Sequence, residues 1–77
     1  MHQIIPKPSY LDNHEYYKVI DGRKAWISKD RKRIYTWDTL HGEIEVFNSR
    51  GMHLAVLHPI TGKQIKSAVN GRRLNVK

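Results

Sequence analysis

Nine consecutive residues, Trp37-Asp38-Thr39-Leu40-His41-Gly42-Glu43-Ile44-Glu45, hold an aspartate, a histidine and two glutamates. A histidine beside carboxylates is the usual equipment for moving protons near neutral pH. Its ring changes charge there, and a carboxylate can hold the ring in one tautomer. The chain around them is strongly basic, with 14 Lys and Arg against 7 Asp and Glu and a formal charge of +7. That balance favours a polyanionic partner. Proton-transfer groups on a cationic platform point to chemistry on a phosphodiester backbone. RNA fits better than DNA, because its 2′-hydroxyl is a built-in nucleophile. The protein then need add only a base, an acid and a cation.

Each candidate has a plainer reading beside the chemical one. Glu43 and Glu45 alternate with Ile44 and Val46, which puts both acids on one face of a strand. A lone carboxylate there is often only solubilising, but two of them next to a histidine and opposite a basic tail are harder to dismiss. His41 stands where one strand passes into the next, and Asp38, three residues earlier, is placed to accept from its ring. His53 shares the Glu45 side if the two strands pair as a simple hairpin, whereas His58 falls next to a turn and outside the site. Tyr35, Trp37 and Phe47 are candidates for stacking on unpaired bases. In so small a domain aromatic residues are more often core, and Trp26 with one of Tyr35 and Trp37 is expected there. Arg72 and Arg73 are the candidate cations, since a guanidinium suits both a phosphate and a phosphorane. Lys63 and Lys66 lie in the same acid-free half and are expected to contact the partner. The histidines and acids follow none of the standard metal spacings, so neither metal nor cofactor is expected.

The elements that must position these groups are short strands. Proline at 6 and 8 and Asp12-Asn13 leave residues 1–14 irregular, an arm or the remnant of a linker, with a weakly signalled helix about Tyr10 to Tyr16. Tyr16 to Ile20, the Asp21-Gly22 turn and Lys24 to Ile27 read as a hairpin. Strands follow over Arg33 to Asp38, Gly42 to Phe47, His53 to Leu57 and, more briefly, Gln64 to Lys66. In the fifth strand Leu54 and Val56 are assigned to one face and His53, Ala55 and Leu57 to the other. Connections this short make an antiparallel arrangement. The fold class is mainly β, a small, strongly twisted sheet of about five to six strands, with residues 15–77 forming one functional domain.

Composition sets further bounds. Seventy-seven residues make a single small domain with a limited core, and there is no cysteine for a disulfide or a thiolate metal site. No apolar run approaches the roughly 18 to 20 residues of a membrane span. No membrane binding by this domain is expected, and an export signal is not expected within this segment. All seven acids lie at or before Glu45, while Val46 to Lys77 holds six Lys and Arg and no acid.

The run from Arg33 to Glu45 resembles the ribosome-inactivating RNase domain of the E-group colicins. In that family a Tyr-x-Trp-Asp-x-x-His-Gly-Glu-x-Glu run marks the active site. The similarity continues through Gly51-x-His53-Leu54 and Pro59-x-Thr61-Gly62-x-Gln64 and covers about Trp26 to Arg72. Leu40 and Val46 depart from the family pattern, the turn after Phe47 is one residue shorter, and Lys29 to Arg33 match a Lys-rich segment only in part.

The resemblance implies a bacteriocin toxin domain that cuts 16S rRNA in the decoding centre of the ribosome. By position it implies Asp38, His41 and Glu45 as catalytic residues, with Arg72, or alternatively Arg73, as the arginine. Glu43 and His53 match supporting positions. It further implies that the domain is released as part of a larger toxin and acts in the cytoplasm of a target bacterium. A dedicated immunity protein is also implied, and the charge predicts it to be acidic. The expected reaction is a metal-independent attack of the 2′-hydroxyl, with Glu45 as base and His41, held by Asp38, as acid. A toxin acting on tRNA or mRNA and a non-catalytic RNA-binding module are the alternatives.

Overall fold

The computed structural model describes residues 2–76. Six strands run β1 (Glu15–Ile20), β2 (Arg23–Ile27), β3 (Arg33–Asp38), β4 (Glu43–Asn48), β5 (His53–Leu57) and β6 (Gln64–Ser67). They form one antiparallel sheet in chain order, β1 to β6. Every strand pairs with its sequence neighbour because each connection is too short for a crossover. The β1–β2 turn places Asp21 and Gly22 at φ 51 and 78, the pair of positive values that a two-residue hairpin turn with the sheet's own twist requires. Met1 and Lys77, the outer ends of the two expected segments, lie outside the described residues.

Both faces of the sheet are covered. Tyr35, Trp37, Ile44, Val46, Ala55 and Leu57 form a core on one face, under Leu11, with Ile5 and Tyr10 packed at its margin. Ile20, Ala25, Ile27, Ile34 and Phe47 form a second core on the other face, closed by Leu74 from the C-terminal tail. The N-terminal arm is therefore part of the packing. It contains a 3₁₀ helix, Tyr10–Asn13, capped by Ser9, whose Oγ accepts from the Leu11 N–H while Asp12 accepts from the Ser9 N–H. Ser9 Oγ and the Tyr10 N–H both donate to the Pro59 carbonyl, which ties the arm to the β5–β6 turn.

Register carries the site. Directly opposed residues share a face, and β3 pairs with β4 so that Thr36 meets Glu45 and Asp38 meets Glu43. The strict alternation expected in β5 does not hold. Register slips between Val46 and Phe47, so that Phe47 faces His53 while Val46 faces Ala55. The extra residue is a bulge, and a bulge reverses the alternation beyond it. His53 and Val56 consequently stay on the Glu45 side, and Leu54, Ala55 and Leu57 pack on the other core.

Candidate active site

A cleft of about 620 Å³ opens on the Glu45 face. Strands β2, β3, β4 and β6 and the tail contribute Arg23, Asp38, Glu43, Glu45, Lys66, Arg72 and Arg73, and the β3–β4 turn contributes His41. Four of the expected catalytic residues, Asp38, His41, Glu45 and Arg72, thus meet in one place.

Asp38 ends β3 and is buried. One oxygen accepts from the backbone N–H groups of Leu40 at 2.9 Å and His41 at 3.1 Å, and the other lies 2.8 Å from His41 Nδ1. One carboxylate therefore shapes the turn and orients the imidazole. Burial pushes its pKa up, but the bonds from the His41 ring, from the His41 and Leu40 backbone and the charge of Arg23 outweigh that, so it lies below the ordinary value. A carboxylate at Nδ1 means that Nδ1 holds a proton. Nε2 of the neutral ring is then an acceptor, and of the charged ring a donor. The ring itself is 59% exposed and reaches the cleft.

Glu45 sits mid-strand at 3% exposure. Arg23 Nη1 pairs with one of its oxygens and Arg72 Nη1 with the other, and both guanidinium side chains remain partly exposed. His53 Nε2 lies 3.2 Å from the oxygen that Arg72 holds, off the alignment of a hydrogen bond. The Val69 N–H donates to His53 Nδ1 at 2.9 Å, which leaves the proton of the neutral ring on Nε2, facing Glu45. Burial lowers the His53 pKa, the Glu45 carboxylate draws it back up and Arg72 lowers it again, with a net fall. A buried charge persists only where it is paired, and here two guanidiniums pair it.

The remaining candidates divide. Glu43 faces Lys66, Nζ to Oε1 at 3.2 Å, at the cleft edge. Arg72 is the tail arginine that reaches Glu45, while Arg73 lines the cleft and bridges to Met52 through its backbone. Lys63 lies on the β5–β6 connection, outside the residues that line the cleft. The stacking expected of Tyr35, Trp37 and Phe47 is corrected: all three are buried within the two cores and offer no ring face to a base. The small sheet needs these rings as core material. Asp38, His41 and Glu43 bring one potential metal-ligand atom each within 4.8 Å of one another. The Asp38 carboxylate already accepts from three N–H groups, and Glu43 pairs with Lys66.

Arg23 was not among the expected site residues. Its signal is alternation: Arg23 shares a β2 face with Ala25 and Ile27, both buried, and a charge on an apolar face asks for a partner. Ala25 pairs with Thr36, so Arg23 falls beside Asp38 in the next row and within reach of Glu45.

Two histidines withdrawn from water, half-buried His14 and buried His53, make stability depend on pH. His14 stacks on Tyr35 at 4.2 Å between ring centroids, and burial holds its pKa below 6.5, as it does that of His53. The unfolded chain takes up these protons as pH falls through about 6.5, and the native state resists until lower pH. Stability is therefore full above that value and is lost on acidification. The thermal midpoint is expected to be lower near pH 5.5 than near pH 7.5, with His14→Phe flattening part of the slope. Equal wild-type midpoints at the two pH values would contradict this.

Compared with known proteins, the chain matches the Cytotoxic family model over residues 15–75 and belongs to that family. It is 44% identical over 45 residues to cloacin and to colicin E3, and 42% identical over 45 residues to colicin E6, all from Escherichia coli. Each alignment covers 57% of this chain and 8% of the relative. The chain is thus a colicin-type cytotoxic domain, similar to a small part of much longer bacteriocins.

Proposed function

We propose that this domain is an endoribonuclease that cleaves 16S rRNA in the decoding centre by metal-independent transesterification, and so blocks translation. The observation that carries the reading is the floor of the cleft. There a buried glutamate is paired with two partly exposed arginines, beside a histidine whose tautomer an aspartate fixes.

When a phosphodiester enters the cleft, Arg23 and Arg72 have donors to turn toward its non-bridging oxygens, which loosens their hold on Glu45. Glu45 accepts the 2′-hydroxyl proton as the 2′ oxygen bonds to phosphorus. Arg72 offsets the charge of the phosphorane. The bond from phosphorus to the 5′ oxygen breaks as protonated His41 donates from Nε2, with Asp38 stabilising the imidazolium. The products are a 2′,3′-cyclic phosphate and a 5′-hydroxyl. His53 presents Nε2–H to Glu45 and keeps its position. Family membership supports a ribonuclease toxin released by a producing bacterium and acting in a target cell, and the net charge of +7 suits an acidic immunity protein.

Carboxylates on the cleft floor repel phosphate in general, so positioning must come from the surrounding cations and from the shape of the ribosome. Cutting of 16S rRNA in intact 70S ribosomes or 30S subunits is expected to be efficient, and cutting of protein-free mixed RNA poor. Both should weaken steeply as salt rises. The check is a comparison at equal RNA concentration across a salt series. Equal rates would favour a general ribonuclease, with tRNA or mRNA among its substrates.

A further inference from the structure

We propose that the N-terminal arm is a positioning element of the active site, in which Gln3 braces the β3–β4 turn and thereby holds His41. This rests on the role given to His41 above and adds a residue outside the family match, which begins at residue 15.

On one side, Asp38 restrains the turn that carries His41. Asp38 accepts from the Leu40 and His41 N–H groups, and its own carbonyl accepts from the Gly42 N–H. The other side of the turn meets the arm. The Gln3 N–H donates to the Thr39 carbonyl at 2.6 Å, and the Trp37 indole N–H donates to the Gln3 carbonyl at 3.1 Å. His2 Nδ1 lies 3.2 Å from Thr39 Oγ1.

Packing agrees. A Cβ placed on Gly42, whose φ is 65, would stand 3.1 Å from Gln3 Cγ and 3.3 Å from Gln3 Cβ. The bare glycine lets the Gln3 side chain lie against the turn. Apolar burial does not explain this course, since the next residue, Ile4, is 88% exposed. The arm is tethered beyond it by Ile5 at the margin of the core and Leu11 within it, and its outer end is fixed by polar contacts to the turn. An exposed imidazole on a short turn gains its orientation from such contacts, and a misplacement of about 1 Å in a catalytic group costs on the order of 10²-fold in rate.

The test uses the full chain with Gln3→Pro, which removes the N–H and sets a ring carbon against the Thr39 carbonyl. Gln3→Ala, which keeps both backbone bonds, is the comparison. Gln3→Pro is expected to lower kcat about tenfold or more while KM changes by less than about twofold. Gln3→Ala should cost much less. In a His41→Ala background Gln3→Pro should cost nothing further, because its effect acts through the lost ring. The His41 imidazole resonances should shift in Gln3→Pro while those of His53 stay in place, a readout that does not depend on turnover.

An unchanged kcat and unchanged His41 resonances in Gln3→Pro would overturn the proposal. So would the same fold loss with and without His41, which would make the arm a structural cover only. Wild-type cleavage by His41→Ala itself would instead overturn the role of His41 on which the proposal rests.

Discussion

Glu45→Gln and His41→Ala are each expected to lower cleavage by roughly 10² to 10⁴-fold, the range for loss of one acid–base group. The glutamine is nearly isosteric and keeps an acceptor for one guanidinium, but it cannot take the 2′-hydroxyl proton. It also removes the negative charge that pairs Arg23 and Arg72 in the free protein. Substrate affinity should therefore hold or rise as kcat falls, because the arginines remain and the repelling carboxylate is gone. His41 is an exposed ring on a turn, so its removal should leave the melting midpoint nearly unchanged. Single-turnover cleavage with substrate-binding measurements would separate these effects. Full activity in either variant would refute the role assigned to that residue.

Gly51→Ala is expected to be nearly as damaging, although it touches no substrate. A Cβ at Gly51 would lie 2.2 Å from the Leu74 carbonyl oxygen, and the residue stands at φ 84. The Leu74 N–H donates to the Gly51 carbonyl at 2.8 Å, and the His53 N–H donates to the Arg72 carbonyl at 3.2 Å. This close seat of the tail on the β4–β5 turn fixes where Arg72 emerges. Alanine in the left-handed region costs about 1–2 kcal/mol, and the clash adds to it. Displacing the tail should remove Arg72, the cation proposed to stabilise the phosphorane, a loss of on the order of 10² to 10³-fold in kcat. Gly22→Ala is the matched comparison, with φ 78 but nothing within 4 Å of the added carbon. It should show the conformational cost and keep most of the activity. Similar losses of kcat in both variants would mean that the tail contact does not position Arg72.

Much of this was legible before any coordinates. Alternation over Gly42 to Phe47 placed Glu43 and Glu45 on one face, and the tight turn between β3 and β4 leaves a single register that brings Asp38 opposite Glu43 on that face. Phe47 followed the same alternation, but its burial removed the stacking role. Whether an aromatic ring on a strand faces a core or a ligand depends on what covers the sheet, and here the tail covers it with Leu74. The β5 bulge was illegible for a related reason. His53-Leu54-Ala55-Val56 carries no glycine or proline to mark an extra residue, and the slip is set by pairing with β4. Arg23 was missed because its partner lies 22 residues away. The arm was missed because its contacts with Thr39 and Trp37 are made largely through backbone, which side-chain patterning does not display.

The most direct measurement is the chemistry of the new RNA ends formed on 16S rRNA in purified ribosomes, with free magnesium held constant to keep the ribosomes intact and a chelator selective for transition metals present. Attack by the 2′-hydroxyl leaves a 2′,3′-cyclic phosphate on the upstream fragment and a 5′-hydroxyl on the downstream one, and needs no divalent ion bound by the protein. Both ends are expected at an undiminished rate in the chelator. Ends carrying a 5′-phosphate, or cleavage lost to the chelator and restored by a divalent ion, would contradict this mechanism.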